Sequence, residues 1–210
     1  GLASRPMEDD SGVAVILCHT PKKQLLTQTL YAPIPIESHL DQHLHDHMNA
    51  EIVTKTVENK QDAVDYLTWT FYYRRLIQNP NFYNLSGVTH RHMSDHLSEL
   101  IETTIEDLEE SKCVLVEDDM DISPINLGMI SAYYYIQYKT VELFALSITA
   151  KTKIKGLLEI ITAAYEFGNL AIRQKEEKLL KKMASHLPQA LPAESNFEEP
   201  STKALLLLQA

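Results

Sequence analysis

Nine histidines, a run of aromatic residues and a set of clustered lysines are the side chains in this 210-residue sequence whose types and spacing could do chemistry. His39, His43 and His47 recur every four residues, so on a helix they share one face at a metal-ligand spacing, with Asp41 and Asp46 nearby as carboxylates. Three ligands in line along one helix do not converge on a tetrahedral ion, and the expectation is solvated or hydrogen-bonded histidines with no metal site. Tyr66, Trp69, Phe71, Tyr72 and Tyr73, followed by Arg74 and Arg75, have the composition of a base-stacking platform with a phosphate clamp. They interleave with Leu67 and Leu76 at helical positions, which predicts that most of them pack inward, and Tyr133–Tyr135 are read the same way. No glycine-rich phosphate loop, no GxSxG and no HExxH occurs, so no catalytic residue and no cofactor are expected.

Charge is the next signal. The formal net charge is −10, and the segment Glu99–Asp121 holds ten acids against one base, which accounts for almost all of it. Between Lys139 and Lys182 the balance reverses to nine bases against five acids. Phosphate contact needs local positive charge, so any nucleic-acid site is expected at Lys151, Lys153, Lys155 and Arg173, with an ion pair from Arg173 to Glu176 or Glu177 as the competing reading. Cys18 and Cys113 stand far apart with no CxxC, which disfavours a disulfide framework and a cysteine zinc site. The longest apolar runs, Val13–Cys18 and Ala204–Leu208, fall far short of the roughly 20 residues of a membrane span, so no membrane contact is expected.

The elements that must position these residues are mostly helical. Val13–Cys18 is a continuous β-branched run of the kind buried in a parallel sheet, yet no further strands follow to pair with it. Periodicity predicts helices over Lys22–Tyr31, Glu37–Met48, Asn59–Ile77 with Asn59 as cap, and from Ser94 through Leu97, Leu100, Ile101, Ile105 and Leu108. Ile34–Ile36 is expected to be extended around Pro35. Cys113–Glu117 and Ile122–Ile125 then read as a hairpin about an acidic turn, Asp118–Asp121. Helices followed by a small hairpin have the layout of a winged helix. Gly128–Tyr138, Val141–Ile148 capped by Thr140, Thr152–Ala164, Arg173–Leu187 and a last helix through Ala204–Leu208 complete a bundle. The unpaired apolar run at one end and the unfinished apolar helix at the other suggest a piece of a longer protein, with both ends loosely held.

These residues resemble the Ski-two-like RNA helicases. Gly1-Leu-Ala-Ser-Arg5-Pro6 with the strand Val13–Cys18 is similar to the G-R-A-G-R-P motif that closes a second RecA-like domain. Pro35–Ser38, His45–Glu51, Asn59–Thr70, Asn126–Met129 and Tyr133–Tyr135 resemble the winged helix and the start of the Sec63 unit of that family. His90–Leu100 favours the second, C-terminal cassette of its spliceosomal branch over the branch found in the activating signal cointegrator complex. The resemblance implies a mainly α fold with a small β-hairpin: a RecA-domain tail over 1–21, a winged helix over 22–125 and the N-terminal part of a Sec63 helical bundle over 126–210. Leu2 and Ser4 depart from the motif, and Arg5 is what remains of the nucleotide-site arginines, which implies a weakened or dead ATPase site. It further implies a nuclear, non-catalytic part of a helicase whose partners are the RecA-like domains, the remainder of the Sec63 unit, the first cassette and spliceosomal proteins. RNA is the alternative partner.

Overall fold

The computed structural model describes residues 3–32, 36–173, 175–192 and 195–210. Gly1, Leu2 and, of the stretch Ile34–Ile36 expected to be extended, Ile34 and Pro35 lie outside the described residues. Residues 1–37 and 38–210 form two separate compact units. In the first, Arg5 pairs with Asp9 Oδ2 at 2.7 Å and with Glu8 Oε2 at 3.1 Å, and helix α1 spans Lys23–Tyr31 with no buried residue. The strand expected over Val13–Cys18 does not form: the segment is irregular and exposed, because none of the described residues offers its backbone a ladder partner.

The second unit opens with a 3₁₀ turn over Leu40–His43 and helix α2 over Leu44–Val53. The single helix expected over Asn59–Ile77 is two helices, α3 (Lys60–Thr68) and α4 (Phe71–Gln78). Asn59 Oδ1 accepts from the Asp62 N–H at 2.8 Å while Asp62 Oδ2 accepts from Asn59 Nδ2 at 2.9 Å, a reciprocal N-terminal cap. The break has a local cause. Thr70 Oγ1 donates to Leu67 O at 2.6 Å and accepts from the Tyr73 N–H at 3.4 Å, so it closes one helix and caps the next. Helix α5 spans His90–Glu110 and starts a turn earlier than Ser94, capped by Thr89. It ends where Lys112 takes φ 57° and the Cys113 N–H returns to Leu108 O at 2.9 Å, which turns the chain directly into a strand.

Strands β1 (Val114–Glu117) and β2 (Asp121–Pro124) pair antiparallel, with Val116 opposite Ile122, through a turn in which Asp118 and Asp119 both have positive φ. The far edge of β2 is covered by residues 58–60, where the Ile122 N–H donates to Glu58 O and the Lys60 N–H to Met120 O. One core joins these elements: Leu44, Met48 and Ile52 of α2 pack with Leu67, Tyr72, Leu97, Ile101, Ile105 and Val114. This is the winged helix.

The bundle follows as α6 (Asn126–Tyr134), α7 (Tyr138–Ser147), α8 (Ile154–Thr162), α9 (Glu177–Ala184) and α10 (Pro200–Gln209). Thr140 lies inside α7 and does not cap it; its Oγ1 donates to Glu166 Oε2 and accepts from the Tyr165 N–H. The last helix is docked, contrary to the expectation of a loosely held end. Thr202–Leu206 are buried, and Lys203 Nζ donates to Ala171 O at 2.7 Å and Glu176 Oε2 at 2.8 Å.

Candidate interaction surfaces

Helix α2 belongs to the winged-helix core on one side and faces the bundle on the other, and two of its consecutive turns carry polar groups for that seam. His45 Nε2 lies 2.8 Å from Asp107 Oδ2 on α5, and its ring stacks on Tyr138 at 5.0 Å between centroids. Asp46 Oδ1 accepts from the Tyr138 N–H at 2.8 Å, at the start of α7. Asn49 is fully buried and donates through Nδ2 to Gly128 O at 3.0 Å. Gly128 is required at this contact. A Cβ there would stand 2.1 Å from Cys113 O and 2.7 Å from Asn49 Oδ1. Burial, with the Asp107, Asp46 and Glu142 carboxylates adding to it, pushes the Tyr138 hydroxyl up to about 12. Burial likewise holds the Cys113 thiol up at about 11, against the opposing effect of its hydrogen bond with Ser111. Neither group is an acid or nucleophile near neutral pH.

The histidines are dispersed into separate structural roles. His39 meets Phe82 edge-on, His45 serves the seam, and His96 Nε2 lies 3.0 Å from the Tyr72 hydroxyl. Burial lowers the His96 pKa. No group of three His, Cys, Asp or Glu side chains is placed to hold a metal among the described residues. The aromatic run divides in a way that its helical positions do not predict. Tyr72 is buried and Tyr66 and Tyr73 are half-buried, but Trp69 is 89% exposed and Phe71 is exposed, because the break at Thr70 turns them out. Tyr133, Tyr134 and Tyr135 are exposed as well, against the expectation that they pack inward.

Lys151, Lys153 and Lys155 are all exposed and lie together at the connection between α7 and α8, with Lys153 at the N-cap of α8. Arg173 stands apart on the loop before α9. Its N–H donates to Glu176 Oε2 at 2.9 Å, and that bond first, then the Lys203 ammonium, holds the Glu176 carboxyl below the usual range. The three lysines are thus exposed near-neighbours in the chain, and Arg173 has a local acidic neighbour. Arg5 is in the other unit, occupied by Glu8 and Asp9. The wing turn and the outer face of α5 expose Glu99, Glu102, Glu106, Glu109, Glu110, Asp118, Asp119 and Asp121. The seam was missed at the sequence level. Its one legible sign is a glycine inside a helical pattern at Gly128, which marks a close backbone approach but does not say to what.

With this arrangement in hand, comparison with known proteins defines the class. Residues 37–118 match the family described as "Winged Helix-turn-helix domain" and residues 124–210 the family described as "Sec63 Brl domain". The chain is therefore a winged helix followed by a Sec63 Brl domain, and the α2 seam is where the two meet. It is homologous to the U5 small nuclear ribonucleoprotein 200 kDa helicase. Against that protein from Homo sapiens it is 59% identical over 210 residues, which is 100% of this chain and 10% of the relative. The DExH-box ATP-dependent RNA helicase DExH12 of Arabidopsis thaliana is 55% identical over 100% of this chain and 10% of its own length. A Dictyostelium discoideum protein named activating signal cointegrator 1 complex subunit 3-like is 55% identical over 93% of this chain and 9% of its own length. The chain spans about a tenth of the length of the curated relatives it matches.

Proposed function

We propose that the chain is a non-catalytic part of a spliceosomal ATP-dependent RNA helicase, taken from its second cassette and acting in the nucleus as a structural and protein-binding platform in pre-mRNA splicing. In this reading residues 1–21 are the tail of a RecA-like domain, 22–125 the winged helix and 126–210 the first part of the Sec63 unit. Its partners are the rest of the helicase, including the first cassette, and spliceosomal proteins. Arg5 is a remnant of a nucleotide site and carries no catalysis here. The observation that supports a platform over a nucleic-acid reader is the charge of the wing and of α5. A winged helix that grips phosphates presents bases there; this one exposes ten acids along the wing and α5.

A second reading has its own support, in that Lys151, Lys153 and Lys155 form one exposed basic group to which single-stranded RNA could bind, with Arg173 as an outlying contact. A salt-dependent titration of fluorescent single-stranded RNA separates the two. The platform reading expects no measurable binding at physiological salt. Binding whose log–log salt slope falls by about 0.7 for each contact removed, in the triple variant Lys151→Gln, Lys153→Gln, Lys155→Gln, would replace it with the RNA reading. A role in the cointegrator-complex relative of this helicase is the remaining alternative, and co-purification with that complex in place of spliceosomal proteins would select it.

A further inference from the structure

Between α2 and the turn that joins α6 to α7 lies a cleft of about 280 Å³, lined by Asp46, His47 and Ala50 on one side and Ser131, Ile136 and Tyr135 on the other. It opens at the seam between the two matched domains, and it is smaller than the roughly 300–1,000 Å³ of pockets that take small-molecule ligands. One long side chain fits a space of this size. Among the described residues Asp46 is the formally charged group in the wall, and no lysine or arginine lines it.

Tyr135 sets the cleft apart. It sits just past the end of α6 with φ 55°, where its own N–H and that of Ile136 both return to Ser131 O. Glycine fills that left-handed position at least cost, and a bulky residue there is backbone strain. Among the described non-glycine residues with positive φ, Tyr135 is the one aromatic; the others are Lys, Asn and Asp. The ring is 95% exposed, so nothing within the chain compensates the strain by burial. An unburied aromatic held in a strained conformation beside an acidic cleft points to a ligand that covers the ring.

We propose that this cleft receives a cationic side chain of a partner protein, an arginine in preference to a lysine, with its charge toward Asp46 and its flat face against the Tyr135 ring. A guanidinium satisfies both walls at once, since it pairs with carboxylates and stacks on aromatic faces. A nucleic-acid phosphate would meet the Asp46 carboxylate and be repelled. The site deepens the platform reading and rests on it.

The test is a titration of the ¹⁵N-labelled 210-residue chain with N-acetyl-arginine amide, followed by amide chemical shifts, with N-acetyl-citrulline amide as the uncharged isostere and oligouridylate as the RNA arm. The arginine probe is expected to shift Ala50, Ser131 and Ile136, and the citrulline probe to bind about threefold or more weaker. Tyr135→Gly should weaken the arginine probe by a similar factor while the thermal midpoint holds or rises, because glycine relieves the backbone. Asp46→Asn keeps an acceptor for the Tyr138 N–H and should also weaken the probe. Equal binding of citrulline, full affinity in Tyr135→Gly, or oligouridylate shifting the same amides would each overturn the site. A cleft that ignores the arginine probe, in a chain that also fails to bind RNA, removes this site and leaves the platform reading standing.

Discussion

The winged helix and the bundle are built by one chain but hold together in different ways. In the winged helix, α2 to α5 and the hairpin surround a continuous core in which Leu44, Met48, Leu67, Leu76 and Leu108 have no exposed surface. In the bundle the buried apolar residues are few and scattered, chiefly Val141, Ala164, Leu180 and Ala204–Leu206, while Tyr133, Leu146, Ile154 and Leu179 face outward. Burial of apolar area is the main favourable term in folding, so the winged helix is the part that can stand on its own packing. The bundle depends more on specific polar contacts: Asn49 to Gly128, Asp46 to Tyr138 and Lys203 to Glu176. Its position is therefore set by the α2 seam more than by a core of its own.

The largest expected effect breaks that seam directly. Gly128→Ala forces a methyl group into Cys113 O and Asn49 Oδ1, and both neighbours are fixed, one by the backbone and the other by full burial. The expected loss is about 3 kcal/mol, the upper range for overpacking a tight contact. Amide hydrogen exchange should show protection falling first in α6 and α7, with α5 and the hairpin retained. Equal loss across α5 and α6 would mean that the two modules have no separate stability and the comparison fails.

How far this arrangement was legible in the sequence follows the same division. The winged helix could be read because its longest helix, α5, is amphipathic: Leu97, Ile101, Ile105 and Leu108 repeat with the helical period and all are buried. The hairpin could be read because the period changes from helical to alternating at Cys113. The bundle was legible as helices but not as contacts. Helices α6, α7 and α10 lack a clear apolar stripe, so periodicity did not tell that Tyr133–Tyr135 face outward, whereas α8 and α9 are strongly amphipathic. Which two of the five aromatics face outward, Trp69 and Phe71, was not legible: a threonine that caps one helix and closes another looks like any other residue inside an uninterrupted helical pattern. The seam residues His45, Asp46 and Asn49 were invisible because their partners lie 62 to 92 positions away in the chain. No local pattern encodes a pairing at that separation.

A smaller effect sharpens the winged-helix side. Thr70→Ala removes the cap that separates α3 from α4 and leaves the Tyr73 N–H without its side-chain acceptor. The loss expected on urea denaturation is about 1 kcal/mol, the usual cost of an N-cap. Because Trp69 is the sole tryptophan and stands at this break, its emission should also shift as the turn rearranges. An unchanged midpoint and unchanged emission would show that the break is imposed by packing and not by Thr70.

The smallest expected effect is a pH dependence confined to the winged helix. Burial lowers the His96 pKa in the folded state below its ordinary value near 6.5, and the ring lies within hydrogen-bond distance of the buried Tyr72 hydroxyl. The neutral ring can accept from that hydroxyl; the protonated ring cannot at Nε2. The carboxylates of Glu99 and Asp41 act the other way and reduce the shift. With the folded pKa lowered, the unfolded chain binds more protons, so stability is fully present above the ordinary histidine range and falls as pH drops through it. Thermal midpoints measured from pH 8 down to pH 5 should therefore decline, and His96→Phe should remove part of the decline while costing some stability at pH 8 through loss of the Tyr72 contact. A His96→Phe variant with the full parental decline would assign the pH dependence to groups outside the Tyr72 cluster and leave the winged helix insensitive to protonation at this site.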